Sequence, residues 1–229
     1  MNKKYLKSVT LSGGGFRTEG YINELIDIMP NTDIDTCFYG ASMGAFWAAG
    51  SALGIDVLKH MVYLGKIYVE NVRESWWNNF GTCKQRMKEI MEKAFPEDIS
   101  KAQNRCIIQL SELNLSRVSS ISGISNYFIN KYVLNKPNIS LFKPLKIKTY
   151  KNKHDLINAV LSSMFVPFYS SKSIIHYYNK SIVFDGCLTD NQPQGENKSC
   201  KILEYKKGIF GPIGFLIPIP KEEGISLII

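Results

Sequence analysis

The stretch CFYGASMGAFWAAGSALG, Cys37 to Gly54, constrains this chain more than any other. An apolar run meets a turn in which Ser42 stands two residues from Gly40 and from Gly44, and small apolar residues continue to Leu53. That pattern specifies a strand, a tight turn and a helix. Met43 to Leu53 is apolar nearly all round, so the helix is expected to be buried, with Gly54 as its C-terminal cap. Two explanations of the turn compete. Small residues let a helix pack closely on a sheet; alternatively, G-x-S-x-G exposes a nucleophilic hydroxyl on a strained strand-to-helix turn.

Upstream, YLKSVTLSGGG reads as a strand, Tyr5 to Leu11, that runs into a glycine loop. Thr18 to Met29 carries Ile22, Leu25, Ile26 and Met29 at helical spacing, and Pro30-Asn31 ends it. Strand, loop and helix, twice over, is the opening of an α/β fold with a parallel sheet. Downstream, KQRMKEIMEKAF is an amphipathic helix with Met87, Ile90, Met91 and Ala94 on one face, and NRCIIQLSELN is a strand. NKHDLINAVLSSMFVPF is a helix ended by Pro167, with Leu156, Ile157, Val160, Leu161 and Met164 as its buried face. HYYNKSIVFDG is a hairpin that turns at Asn179-Lys180, and CKILEY and IGFLIPIP are late strands. Residues 60 to 150 show the least regular pattern and are expected to form a variable, cap-like region of a single domain spanning 1 to 229.

Composition narrows the class. With 229 residues, 45% of them hydrophobic, the chain can bury one sizeable core. No apolar run reaches the roughly 18 to 20 residues that span a bilayer, and the start, MNKKYLKSVTLSGGG, does not read as a signal peptide. Five cysteines at wide spacing, with no CxxC pair, argue for a reducing, cytoplasmic setting and against a disulfide framework. With three scattered histidines, neither a metal site nor a cofactor is expected. The net charge of +8 favours anionic partners, but the lysines are dispersed and no interleaved basic and aromatic element points to nucleic acid.

A nucleophilic serine needs a base and an oxyanion hole. In LSGGGFRTEG, Gly13, Gly14 and Gly15 follow a strand, and consecutive glycines can turn several N–H groups toward one anionic atom. Arg17 could hold that loop or attract a phosphate. The loop lacks the spacing of either common nucleotide fingerprint. A triad of Ser42, Asp155 and His176 satisfies the usual serine-hydrolase order, although Ser42 comes very early for such a fold. Asp185, at a strand end in VFDGCLTDNQP, is the other candidate base; alone, Asp185-Gly186 would read as a turn.

Three motifs taken together resemble the patatin-like phospholipases, a family of lipid acyl hydrolases: Gly13-Gly14-Gly15-Phe16-Arg17, then Gly40-Ala41-Ser42-Met43-Gly44, then Asp185-Gly186. The segments LINAVLSSMFVPFYSS and LTDNQP are also similar to family segments, so the resemblance runs from Tyr5 to Pro193 with a poorly matched middle. It implies a three-layer α/β fold with a central, mostly parallel sheet flanked by helices. It also implies a Ser–Asp dyad in which Ser42 forms an acyl-enzyme, Asp185 takes its proton, and the amides of Gly14, Gly15 and Met43 hold the oxyanion. Two departures stand out. Thr18 and Glu19 separate Arg17 from Gly20, and Cys187 follows Asp185-Gly186 where the family has glycine or alanine. The altered loop leaves open an inactive, lipid-binding relative. The substrate implied is a phospholipid or another lipid ester. Trp76, Trp77 and Phe80, beside Lys84, Arg86 and Lys88, are candidates either to contact an anionic membrane peripherally or to pack in the core.

Overall fold

Strand β1 (Ser8–Leu11) and strand β2 (Cys37–Ala41) pair in parallel, Leu11 opposite Gly40. Both are short, and β1 is buried at every position, Ser8 and Thr10 included, as a strand inside a parallel sheet is. The structure, a computed structural model, describes residues 5–74, 80–114, 141–194 and 200–203. Strand β3 (Cys106–Leu113) lies parallel to β2, and β7 (Cys200–Leu203) lies parallel to β1 on its far side. Strands β4 (Phe142–Ile147), β5 (His176–Tyr178) and β6 (Ser181–Phe184) add antiparallel pairings, which gives one mixed sheet of seven strands among the described residues.

The helices are α1 (Ile22–Ile28), α2 (Met43–Leu53), α3 (Ile55–Glu74), α4 (Cys83–Ala94) and α5 (Lys153–Ser163). Helix α2 packs on β1, β2 and β3 and against α3 and α5; α4 bridges α3 and α5. Every residue of α2 is buried, which explains the run of alanine and glycine: a helix enclosed on all sides has room only for small side chains around Phe46 and Trp47. The main core joins Val9, Leu11, Phe38, Phe46, Leu58, Met91, Leu156 and Val160. A second cluster gathers Leu113, Phe142, Phe165, Phe184 and Leu188.

The register of β3 decides where the chemistry falls. Ile108 pairs with Gly40 of β2 and with Ile147 of β4, so β2 and β4 occupy opposite edges. Ser111 pairs with Pro144 of β4 and with Phe184 of β6, so β6 also lies opposite β4. Strands β2 and β6 therefore share one edge of β3. They run toward each other and stop on either side of Leu110, since Ala41 faces Gln109 and Phe184 faces Ser111.

Several elements differ from the sequence expectations. The first helix begins as a 3-10 segment, Gly15–Tyr21, before α1. Thr18 holds this tight winding: its hydroxyl donates to the Gly15 carbonyl (2.9 Å) and accepts from Trp47 Nε1 (2.9 Å). Helix α5 stops at Ser163, short of Pro167, because Ser170 Oγ donates to the Met164 carbonyl and accepts from the Val166 amide. The hairpin turns where expected, with positive φ at both Asn179 (45°) and Lys180 (70°), as a two-residue primed turn requires. Of the stretch expected to be cap-like, the described part forms α3, α4, β3 and β4, with β3 in the middle of the sheet. The expected strand IGFLIPIP and the Trp76-Trp77 pair lie outside the described residues.

Gly44 is required by close approach: a Cβ there would overlap the Leu11 carbonyl and come within 2.8 Å of the Ser12 carbonyl oxygen. The first turn of α2 is thereby pressed onto the end of β1. Gly44→Ala should lower stability by about 1–3 kcal/mol or more, since the rigid backbone must shift to admit one methyl. The check is the urea midpoint; an unchanged midpoint would mean that helix and strand do not meet this closely.

Candidate active site

Ser42 is the residue between β2 and α2, and its backbone is strained there, with φ 53° and ψ −128°. A non-glycine residue at positive φ is costly and persists only where surrounding structure enforces it. The enforcing contacts are visible. The Ser42 amide donates to Ser163 Oγ (2.8 Å), and Ser163 Oγ donates to the Gln109 carbonyl (2.7 Å), so α5 ties the turn to β3. From the other side, Gly13 abuts the turn: a Cβ on it would lie 2.8 Å from Ser42 Cβ and 2.7 Å from the Ala41 carbonyl, and would overlap Cys187 Sγ.

Across the gap at Leu110, Asp185 follows the last residue of β6. Ser42 Oγ donates to Asp185 Oδ2 at 2.6 Å. This is at the short end of the range for O–H···O hydrogen bonds. Asp185 Oδ1 accepts from the Cys187 amide (2.9 Å), and the Asp185 amide donates to the Phe165 carbonyl (2.9 Å), which fixes the carboxylate at both ends. The residue is 5% exposed.

The glycine loop divides its roles. The Gly13 amide makes a long hydrogen bond to the Asn191 carbonyl (3.4 Å), so Gly13 serves packing and is not placed to hold an oxyanion. Gly15, at φ 55°, borders the same small cavity as Ser42, Met43 and Asp185, about 30 Å³ in volume. Gly15 and Met43 begin the 3-10 segment and α2, so their N–H groups have no intrahelical acceptor. Arg17 is buried and borders neither this cavity nor the larger one beside it; its amide donates to the Gly14 carbonyl (3.1 Å).

The larger cavity, about 320 Å³, shares Gly15, Phe16 and Met43 with the small one. Its walls are mostly apolar, with Ile22, Phe46, Trp47, Val62, Val69 and Met87, and a charged cluster of Glu19, Arg73 and Glu70 sits among them. Arg73 pairs with Glu70 (2.6 Å) and with Glu19 (3.2 Å). Burial pushes the Glu19 carboxyl up to about 7; Arg73 pulls it down and Glu70 raises it further. The Thr18-Glu19 departure is thus built into the site: Thr18 winds the loop and Glu19 lines the adjoining cavity.

The alternative triad is not assembled. His176 Nε2 lies 2.9 Å from Ser162 Oγ, and Nδ1 lies 3.2 Å from Lys84 Nζ. A lysine donating to Nδ1 leaves the proton on Nε2, which then donates to Ser162. Burial, then Lys84, holds the imidazole down to about 4. Asp155 instead accepts from the Lys151 amide (3.0 Å) and the Tyr178 hydroxyl (3.3 Å). Neither residue is bonded to Ser42, whose hydroxyl is paired with Asp185 at the end of β6. Ser163, which braces the turn, was not singled out in the sequence; a serine pair in a helix carries no signal of its own. Among the described residues, no cluster of three or more His, Cys, Asp or Glu side chains could hold a metal ion.

A scan against models of known protein families returns no match, and no curated protein matches the chain. The chemistry of the site carries the functional reading.

Glu19 yields a pH prediction. Its folded carboxyl, raised from 4.5 to about 7, holds a proton that the unfolded chain has released. Its contribution to stability is complete below the unfolded value and is lost as pH rises through the folded one. Between about pH 5 and about pH 8 the wild-type Tm should therefore fall more than that of Glu19→Gln, which has no proton to lose. Parallel Tm profiles for the two chains would contradict the assignment.

Proposed function

We propose that the protein is a lipid acyl hydrolase that works through a Ser42–Asp185 dyad. The observation that carries the proposal is the 2.6 Å hydrogen bond from Ser42 Oγ to Asp185 Oδ2 on a backbone turn at positive φ. Turns of that strain concentrate at functional sites.

In the proposed reaction Ser42 Oγ attacks the acyl carbonyl while Asp185 Oδ2 takes the hydroxyl proton. The amides of Gly15 and Met43, which border the cavity with Ser42, hold the developing oxyanion; Gly14, the third donor the resemblance implies, does not line that cavity. The alcohol leaves with the proton from Asp185, and the acyl group stays on Ser42. Water then attacks the ester, giving its proton to Asp185, and the acid departs as that proton returns to Ser42. An aspartate, with a reference pKa of about 3.9, is a weak base in water. Direct contact and near-complete burial offset this: the proton need travel only one hydrogen bond, with little water to compete.

The apolar cavity next to Ser42 supports an acyl substrate, because a chain that fills it would expel water from the site. A patatin-like, three-layer architecture is the finer form of this proposal. The mixed sheet, the early serine turn and the late Asp-Gly support it.

Hydrolysis of p-nitrophenyl butyrate tests the dyad. Ser42→Ala and Asp185→Asn should each lower kcat/KM by about 10³-fold or more, by analogy with loss of a nucleophile or base elsewhere. His176→Ala should retain most of the rate. Activity surviving in Asp185→Asn, or lost only in His176→Ala, would contradict the proposal.

A further inference from the structure

Two segments far apart in the sequence are joined at the surface beside the site. The Gly81 amide donates to the Tyr169 carbonyl (2.8 Å), the Lys84 amide donates to the Ser170 carbonyl (2.9 Å), and the Phe80 and Tyr169 rings meet edge to face at 5.4 Å. Around this seam stand Phe80, Phe168, Ile174 and Ile175, all large, apolar and exposed. Phe168 is the most unusual. It is 63% exposed, yet its backbone sits at φ 64°, a conformation that bulky residues rarely adopt. No core packing compensates for that strain, since the ring faces outward.

The patch is continuous with the catalytic cavity. Val166 and Tyr169, on either side of Phe168 in the same loop, border the cavity that holds Ser42 and Asp185, as does Cys83 from the other segment. Its charge is one-sided. Residues 75–88 and 156–184 contain no Asp or Glu, and they carry Lys84, Arg86, Lys88, Lys172 and Lys180. Arg86 and Lys88 pair with Glu89 and Glu92 along α4. Lys172 is exposed and Lys84 half-buried, and neither has an acidic partner among the described residues; Lys84 Nζ lies 3.2 Å from His176 Nδ1. A Cβ on Gly81 would lie 3.4 Å from Lys172 Cγ, so Lys172 lies at the seam.

We infer that Phe80, Phe168, Ile174 and Ile175, rimmed by Lys84 and Lys172, form a surface that docks on an anionic lipid bilayer and opens the catalytic cavity toward it. This rests on the acyl-hydrolase reading for its purpose, though not for its test. Apolar side chains that enter the headgroup boundary gain burial, while nearby lysines gain from the negative surface potential. A protein partner would also cover apolar side chains, but a rim with no acid in either segment fits phosphate headgroups better. Phe80 and Lys84 belong to the contact expected from the sequence, and Phe168, Ile174, Ile175 and Lys172 extend it; Trp76 and Trp77 lie outside the described residues.

The test is vesicle sedimentation with chains that all carry Ser42→Ala, so binding is read without turnover and stands whether or not the wild type hydrolyses esters. The parent should pellet with vesicles of phosphatidylglycerol and phosphatidylcholine in equal parts. Adding Phe168→Asn and Ile174→Ser should weaken partitioning about tenfold or more. The same variant should melt no lower, because asparagine accepts positive φ more readily than phenylalanine. Lys172→Glu should weaken binding about fivefold or more on the anionic vesicles and little on phosphatidylcholine alone. A parent that stays in solution with both vesicles, or a double variant that pellets as well as the parent, overturns the inference.

Discussion

Everything in the site depends on one strand edge that serves two partners. Strand β3 offers the edge opposite β4 first to β2 and then to β6, and those two strands arrive from opposite directions. Each stops one residue short of Leu110, and the next residues are Ser42 and Asp185. Backbone pairing, repeated every few ångströms along a common template, is a far stiffer positioning device than a pair of loops. That is how groups 143 positions apart come to share a 2.6 Å hydrogen bond.

The surrounding residues maintain what the sheet sets up. Ser163 links the strained turn to the Gln109 carbonyl, and Gly13 and Gly44 let backbone approach where any side chain would collide. Strain at Ser42 is offset by these contacts, not relieved. The result is a hydroxyl held against a buried carboxylate with amides of two segment starts nearby. Such a preorganised polar site needs little rearrangement as charge develops, which is where most electrostatic catalysis originates.

Much of this was legible in the sequence. The serine turn and the buried helix α2 followed from small residues in a fixed pattern, and the hairpin from Asn179-Lys180 between apolar runs. Helix α3 was missed because Val57, Val62, Tyr63, Ile67, Tyr68 and Val69, with Gly65 among them, favour extended structure; tertiary packing of Leu58, Met61 and Val72 overrides that preference. Strand β4 was hidden by Pro144, which a strand tolerates at a sheet edge. The choice between Asp155 and Asp185 could not be settled by spacing, since both follow Ser42 and only the register of β3 separates them. The bracing by Ser163 and the commitment of the Gly13 amide to Asn191 are likewise products of folding with no local pattern.

The most direct measurement is the mass of the folded chain after exposure to a fluorophosphonate, followed by peptide mapping. Such a reagent bonds only to a serine that is both activated and accessible. A single adduct on Ser42, formed far more slowly when Asp185 is replaced by asparagine, is the result that a directly paired dyad requires. A folded chain that takes up no reagent, or takes it up on another serine, would contradict it.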